Sequence, residues 1–184
     1  MASEAQARLL ELFKERAFTF GRFTLASGKE STYYINSKKA IFNSEAVGLL
    51  GEVLWERTRD LNVQAAGGLE VGAIPMAVAM AARYQREGRP LEGFFVRKQA
   101  KDHGSRDRVE GVVGPGWRVA VVDDVFTQGT SVLQAIAEVE RAGAEVVAAV
   151  CIVDRLEGAR ERLEPRYPCL PIFTIRDFGI EPPP

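Results

Sequence analysis

The segment that decides the fold of this chain is Val119-Ala120-Val121-Val122-Asp123-Asp124-Val125-Phe126-Thr127-Gln128-Gly129-Thr130-Ser131. Its first four residues are apolar and mostly β-branched, and without polar alternation they predict a strand over 119–122 that is buried on both faces. Two acids follow directly, and then a turn rich in hydroxyl groups and glycine. Apolar residues at helical spacing from Val132 to Arg141 predict a helix. Its N-terminus lies at this turn and offers free N–H groups to an anion.

The acid pair Asp123-Asp124 stands beside this predicted anion site, although carboxylates repel a phosphate. A ligand with both a phosphate and hydroxyl groups removes the conflict, because the turn binds the phosphate while the acids accept hydrogen bonds from a sugar. A ribose phosphate has both groups. The alternative is that the acids merely end a strand of a doubly wound domain. The motifs G-x-x-x-x-G-K-[ST] and G-x-G-x-x-G do not occur in the sequence, which excludes a Walker phosphate loop and the dinucleotide fingerprint.

Strand and helix patterns alternate along the chain. The predicted strands are 63–66, 91–96, 119–122, 145–154 and 170–175, and residues 18–36 form short strands or an ordered loop. The predicted helices are 3–16, 44–59 with Ser44 as N-cap, 73–85, 130–142 and 157–163. This order predicts an α/β fold with a mainly parallel central sheet flanked by helices. Such sheets bind ligands at the carboxyl ends of their strands, where Gly67, Arg97, Asp123 and Arg155 all follow strand ends.

Composition and charge limit the kind of protein. With 184 residues, 46% of them apolar and 27% charged, the chain fits one globular domain over 1–184. A net charge of −1 gives no support for nucleic acid or membrane as a partner. The amphipathic and partly acidic N-terminus is unlike a targeting sequence, and no apolar stretch is long enough to span a membrane. Two unclustered cysteines, Cys151 and Cys169, predict buried or incidental thiols in a cytoplasmic protein.

A second polar segment concentrates positive charge. It runs Arg97-Lys98-Gln99-Ala100-Lys101-Asp102-His103-Gly104-Ser105-Arg106-Asp107-Arg108 and holds five cationic residues and the single histidine. Because it lacks helical or strand periodicity, it predicts a mobile connection over 97–112, of a length that is often functional. A solvated charged loop without function is the alternative for any such run.

These segments together resemble one family. The acid pair and its turn resemble the phosphoribosyl-pyrophosphate (PRPP) motif of type I phosphoribosyltransferases. The basic segment, with Arg97, Lys98, Lys101 and His103 in that order, resembles the catalytic loop of orotate phosphoribosyltransferases. Residues 23–34, Phe-Thr-Leu-Ala-Ser-Gly-Lys-Glu-Ser-Thr-Tyr-Tyr, resemble an N-terminal segment of the same family, and residues 67–72 correspond to its pyrophosphate-binding loop. Arg155 stands where the family holds the orotate carboxylate.

The resemblance implies a type I phosphoribosyltransferase fold with a small hood, formed mainly by residues 1–40 and the C-terminal segment, and a mobile catalytic loop over 97–112. It implies transfer of the phosphoribosyl group of PRPP to N1 of orotate, in pyrimidine (UMP) biosynthesis, with Mg²⁺ held indirectly through Asp123, Asp124 and PRPP. It also implies a homodimer in which the loop acts on the neighbouring subunit's site.

The resemblance assigns roles residue by residue. The implied catalytic residues are Lys101, His103, Asp123 and Asp124. The implied PRPP-binding residues are Arg97, Lys98, Lys101, His103, Asp123, Asp124, Val125, Phe126, Thr127, Gln128, Gly129, Thr130 and Ser131. The implied orotate-binding residues are Ser27, Gly28, Tyr34, Thr127 and Arg155.

The sequence departs from the family pattern at two places, and two alternative functions stay open. Many members have a lysine where this chain has Ala26, and some have one in the pyrophosphate loop, where residues 67–72 have none. Lys38 or Lys39 is the candidate substitute. A purine phosphoribosyltransferase would share Asp123-Asp124 but would not account for Arg155. A regulator that binds PRPP or nucleotides without catalysis is the second alternative.

Overall fold

A computed structural model of the chain describes residues 2–24, 30–99 and 107–182. The helices are α1 (Glu4–Arg16), α2 (Lys38–Ile41), α3 (Ser44–Thr58), α4 (Ala73–Arg86), α5 (Thr130–Arg141) and α6 (Ala159–Leu163). The strands are β1 (Phe18–Thr24), β2 (Glu30–Ile35), β3 (Ala65–Leu69), β4 (Glu92–Val96), β5 (Val109–Gly111), β6 (Arg118–Phe126), β7 (Glu145–Asp154) and β8 (Cys169–Thr174). Short 3₁₀ turns lie at Arg59–Leu61 and Ile175–Phe178.

Six strands form the central sheet, in the order β5-β4-β3-β6-β7-β8. All neighbouring pairs are parallel except β4 and β5, which are antiparallel. The predicted α/β fold with a mainly parallel sheet is confirmed. The strand order reverses between β3 and β6, and the carboxyl ends of strands at such a switch point form a crevice that binds ligands.

Strand β6 lies in the middle of the core. Val119 and Val121 pack into one apolar cluster, while Ala120 and Val122 pack into the cluster on the opposite face of the sheet. All four residues are fully buried. This confirms the prediction from the unbroken apolar run, because only a strand covered on both sides needs apolar side chains in both directions.

The N-terminal hairpin of β1 and β2 packs against the C-terminal end of the described chain. Phe18 of β1 stacks on Phe178, with ring centroids 4.3 Å apart, and Phe178 in turn contacts Phe173 of β8. These aromatic contacts join the two parts of the chain that the family resemblance assigns to a hood. The division into a hood and a core stays a prediction.

The structure corrects several element boundaries. Strand β6 continues through Asp123 and Asp124 to Phe126, so the acids lie within the strand and do not follow it. Strand β3 begins at Ala65 and includes both Gly67 and Gly68, which the sequence assigned to a loop. The N-cap of α3 is Asn43, whose side-chain oxygen accepts hydrogen bonds from the backbone N–H groups of Glu45 and Ala46.

Two short elements lie where no pattern predicts them. Helix α2 has four residues, and strand β5 has three residues inside the segment 97–112 that was predicted to be a loop. Elements this short have no measurable periodicity and form because neighbouring elements pair with them, as β4 does with β5. In the described ranges, no helix combines the length and apolar character needed to cross a membrane.

Strand β3 fits between β4 and β6 because two of its residues lack a side chain. A Cβ atom on Gly67 would lie 2.1 Å from the carbonyl oxygen of Phe94, and one on Gly68 would lie 2.0 Å from that of Val122. Both obstructing atoms belong to backbone, so neither can rotate away. The two glycines therefore set the distance between the strands at the switch point.

We expect Gly68→Ala to destabilise the fold by about 3 kcal/mol or more, because the added methyl group overlaps the backbone of β6. The matched control is Gly48→Ala, since Gly48 lies on the exposed side of α3 and a Cβ there would meet nothing within 4 Å. That control should stabilise the fold by about 0.5–1 kcal/mol through helix propensity. Urea unfolding measures both changes, and equal stabilities of the two variants would contradict the prediction.

Candidate functional site

The carboxyl end of β6 carries two buried carboxylates. Asp123 is 7% exposed and Asp124 is 6% exposed. The backbone N–H of Asp124 donates a hydrogen bond of 2.9 Å to Oδ1 of Asp123. The two carboxyl groups also interact with each other, so the acids form one pair at the end of the strand. A buried carboxylate is costly unless it is paired, and the two acids differ in how they are paired.

Asp124 is held by two residues from the N-terminal part of the chain. Lys38 Nζ lies 2.6 Å from Asp124 Oδ2, and the hydroxyl of Ser37 donates to the same oxygen. Burial works to raise the pKa of Asp124, but these hydrogen bonds outweigh it and hold the pKa below its ordinary value. Of the two lysines that could replace the missing family lysine, the structure places Lys38 at the acid pair.

Among the described residues, no cation forms an ion pair with Asp123. Burial, and then the neighbouring negative charge of Asp124, raise the pKa of Asp123 well above its ordinary value. The ionised form of Asp123 is therefore costly in the free protein. A ligand that donates hydrogen bonds or brings positive charge to this carboxylate would stabilise its ionised form. Sugar hydroxyl groups and a divalent cation both have this property.

The turn between β3 and α4 packs directly against the acid pair. A Cβ atom on Gly72 would lie 2.3 Å from Asp124 Oδ1, so only glycine fits between this turn and the carboxylate. The segment 67–72, which the sequence assigned to pyrophosphate binding, thus divides into two parts. Gly67 and Gly68 serve strand packing, and Glu70, Val71 and Gly72 form the turn beside the acids.

The turn after β6 has the geometry of an anion site. Gly129 has a φ of +75° and precedes α5, where no side chain caps the helix. The carbonyl oxygen of Thr127 accepts from the N–H of Ala159, at 3.1 Å, and that of Gln128 accepts from Arg162 Nη1, at 2.6 Å. Both carbonyl groups are thus bound to α6. The turn presents the exposed Thr130 and Ser131 and the first N–H groups of α5 to a ligand.

Arg155 lies at the end of β7, beside the same turn. Its backbone N–H donates to the carbonyl oxygen of Phe126, at 2.9 Å, and its Nη2 lies 2.7 Å from Glu157 Oε1. The guanidinium carbon lies 5.0 Å from the ring centroid of Tyr33. The side chain of Arg155 is only 13% exposed, so its planar donor group is oriented before any ligand binds.

Tyr34 is not part of this cluster. It is 48% exposed, and its ring contacts that of Phe23, with centroids 5.9 Å apart. Tyr33 is buried and contacts Arg155, so the tyrosine that the structure brings to this arginine is the neighbour of the predicted one. Consecutive residues of β2 face opposite sides of the strand. The local sequence does not show which of these sides meets Arg155 at the end of β7.

The basic segment is only partly described. Arg97 Nη1 lies 3.6 Å from Glu110 Oε1, and the backbone N–H of Lys98 donates to Glu70 Oε1, at 2.8 Å. Lys101 and His103, like Ser27 and Gly28, lie outside the described residues.

A metal ion would find few protein ligands in the described part of the chain. There, no group of three or more His, Cys, Asp or Glu side chains could hold one. Asp123 and Asp124 supply two carboxylates, one of them already bound to Lys38. This donor set fits a cation that takes its remaining ligands from a substrate and water, as Mg²⁺ commonly does.

Comparison with known proteins gives a consistent set of relatives. Residues 67–183 match the family described as phosphoribosyl transferase domain. The orotate phosphoribosyltransferase of Sorangium cellulosum is 42% identical over 187 aligned positions, which cover 100% of this chain and 97% of that protein. The orotate phosphoribosyltransferase of Streptomyces coelicolor is 44% identical and covers 88% of this chain and 89% of its own length.

Solved structures agree. A crystal structure of Mycobacterium tuberculosis orotate phosphoribosyltransferase in complex with PRPP superimposes with a TM-score of 0.81 at 34% identity, over 96% of this chain and 99% of that one. The same enzyme in complex with Fe(III) dicitrate gives a TM-score of 0.86 at 37% identity, over 96% and 99%. The adenine phosphoribosyltransferase of Rhodothermus marinus shares the fold, with a TM-score of 0.65 at 19% identity, over 91% and 99%.

We expect Asp123→Asn to stabilise the free protein by about 1 kcal/mol or more, because the amide keeps the shape of the carboxyl group without its buried charge. The pKa of Asp123 is higher in the folded chain than in the unfolded one. The stability of the wild type therefore falls as pH rises from about 4 through the folded pKa, whereas the asparagine does not titrate.

The measurement is the melting temperature of both proteins from about pH 4 to pH 8, where the difference should grow with pH. Asp60→Asn is the matched control, since the Asp60 side chain is 90% exposed. A melting temperature of Asp123→Asn at or below that of the wild type at neutral pH would contradict the assignment of an unfavourable charge.

Proposed function

The chain belongs to the orotate phosphoribosyltransferase family, and we infer that it transfers the phosphoribosyl group of PRPP to N1 of orotate, releasing pyrophosphate. The product is orotidine 5′-monophosphate, an intermediate of UMP biosynthesis. The observation that carries this inference is the juxtaposition, at one edge of the sheet, of the buried acid pair, the N-terminus of α5 and Arg155.

The acid pair and the turn after it suit the two halves of a ribose phosphate. We assign the 5′-phosphate to residues 125–131, where the first N–H groups of α5 and the hydroxyl groups of Thr127, Thr130 and Ser131 donate. We assign the ribose hydroxyl groups to Asp123 and Asp124, which accept. This arrangement supports PRPP as the donor, as does the PRPP complex of the Mycobacterium tuberculosis relative.

Arg155 supports a base that carries a carboxylate. A guanidinium binds a carboxylate through two parallel hydrogen bonds, and the stacking of Arg155 on Tyr33 fixes its plane. Adenine and hypoxanthine have no carboxylate, so a purine acceptor would not form these two hydrogen bonds with Arg155. A regulator without catalysis would not need the concentrated cations of the basic segment.

The reaction forms the bond from orotate N1 to the anomeric carbon and breaks the bond from that carbon to the pyrophosphate oxygen. The transition state has oxocarbenium character, so the enzyme acts mainly by positioning and electrostatics. Orotate N1 supplies the electron pair of the new bond, and its proton passes to the departing pyrophosphate or to water, so this step assigns no general base to the chain. We assign Arg97, Lys98, Lys101 and His103 to the charge of the departing pyrophosphate, which bears the electron pair of the broken bond.

We propose that Mg²⁺ joins PRPP at this site, with Asp123 and Asp124 holding it indirectly through water and the ribose. Bound there, the ion would supply positive charge to the pyrophosphate. It would also offset the raised cost of ionising Asp123.

We propose a homodimer as the working unit. Helix α4 has apolar side chains at positions 74, 78 and 82, four residues apart and so on one face, of which the first is half-buried and the other two are exposed. Val78 is 58% exposed and Val71, in the turn before the helix, is 50% exposed. A second copy would cover this face and bring the basic segment of one subunit near the acid pair of the other.

A cytoplasmic location is consistent with two free cysteines.

Purified protein with Mg²⁺ and PRPP should consume orotate and release an equal amount of pyrophosphate, and should leave adenine, hypoxanthine and uracil unchanged. Orotate absorbance and a coupled pyrophosphate assay measure the two sides of the reaction. Equal or faster turnover of a purine would contradict the assignment of the acceptor. PRPP binding without turnover of any base would favour the regulator.

Mixed dimers of Lys101→Ala and Asp124→Asn should recover activity that neither homodimer has. If the loop acts in trans, one site of each mixed dimer contains both changes and the other contains none, so about half of the wild-type rate per dimer is expected. Co-expression with two different tags isolates the mixed species.

The control introduces Val78→Glu into both subunits. A charge on the exposed face of α4 should separate the subunits and abolish the recovery, while the fold, measured by circular dichroism, stays intact. Mixed dimers as inactive as their parents would show that the loop acts within its own subunit.

A further inference from the structure

Arg108 joins three parts of the chain that meet beside the site. Its Nε donates to the carbonyl oxygen of Arg97, at 2.8 Å, and its Nη2 donates to that of Lys98, at 3.0 Å. Its Nη1 lies 3.0 Å from Oε1 of Glu138 on α5. The backbone N–H of Arg97 also donates to the carbonyl oxygen of Arg108, at 2.8 Å. One guanidinium thus links the two ends of the basic segment to a helix.

Lys98 is held at both of its peptide groups while its side chain stays exposed. Its carbonyl oxygen accepts from Arg108, and its N–H donates to Glu70 in the turn that packs against the acid pair. The backbone position of Lys98 is therefore defined relative to two elements of its own subunit, namely the turn before α4 and, through Arg108 and Glu138, helix α5. The ammonium group itself is left available for an anion.

The carboxylate that anchors this arrangement is buried. Glu138 is 5% exposed, and its second oxygen pairs with Arg141, one turn further along α5. Truncating either arginine would remove one partner of Glu138. Only Arg108 also contacts Arg97 and Lys98, because Arg141 has no bond to either among the described contacts. Arg141 is 68% exposed and is therefore a natural control.

We propose that Arg108 is a positioning residue for the reaction, which holds the backbone of Arg97 and Lys98 where their cations meet the departing pyrophosphate. The proposal rests on the proposed function. The planar fork of a guanidinium can reach three acceptors in fixed directions, whereas an ammonium group is a single point of charge. The geometry therefore requires arginine at this position, and charge alone does not suffice.

The test compares Arg108→Lys and Arg108→Gln with Arg141→Gln. We expect both Arg108 variants to lower kcat by about 10- to 100-fold, because a small displacement of the Arg97 and Lys98 cations weakens their contact with the leaving pyrophosphate. The KM for orotate should stay within about twofold. Arg141→Gln should keep the wild-type kcat. In a Lys98→Ala background, Arg108→Gln should lower kcat much less than in the wild type, because both changes affect the same cation.

A measurement without turnover accompanies the kinetics. Amide hydrogen exchange at Arg97 and Lys98 should accelerate by about tenfold in Arg108→Gln and stay unchanged in Arg141→Gln. Exchange or kcat that is equal in the two glutamine variants would overturn the proposal, as would full additivity with Lys98→Ala. A wild-type protein that turns over no orotate would contradict the proposed function instead, and the exchange rates would still show whether Arg108 holds these residues.

Discussion

Burial of two adjacent carboxylates inside a strand is the constraint on which the rest of the site depends. Removing an ion from water costs several kcal/mol, and only a well-placed partner offsets this cost. Lys38 and Ser37 offset this cost for Asp124. Asp123 has no equivalent partner among the described residues, and its pKa is raised. The asymmetry has a chemical use, because the acid with the raised pKa gains most from a ligand that supplies donors or positive charge.

Close backbone packing places the turn before α4, one of the two turns proposed to bind anions, against this acid pair. Gly68 lets β3 approach β6, and Gly72 lets the next turn rest against Asp124. A side chain at either position would separate the strands at the point where their order reverses. The glycines of this segment therefore act first through packing, and their effect on a ligand follows from the position that packing gives to the turn.

Local patterns in the sequence predicted the parallel sheet, the central strand and the approximate site, because hydrophobic periodicity and turn chemistry are properties of neighbouring residues. Contacts between distant residues were less accessible. Lys38 and Asp124 are 86 positions apart, so the sequence could name Lys38 only as one of two candidates. The contact between Tyr33 and Arg155 was inaccessible for the same reason, since the face of a strand that meets a distant side chain depends on tertiary packing. The role predicted for Tyr34 stays a prediction. Strand β5 was missed because three residues are too few to show the alternation of apolar and polar side chains that indicates a strand.

Charge in this chain is separated in a way that the net value of −1 conceals. The acids are buried and fixed by side-chain contacts, whereas Lys98 is fixed through its backbone and keeps its ammonium group exposed. The difference fits the roles proposed for the two kinds of group. A carboxylate that orients a sugar needs a defined position in a dry environment. A cation that meets a leaving pyrophosphate must stay unpaired until the anion arrives, so its position has to be set by peptide groups and by an arginine whose own charge is already bound to Glu138.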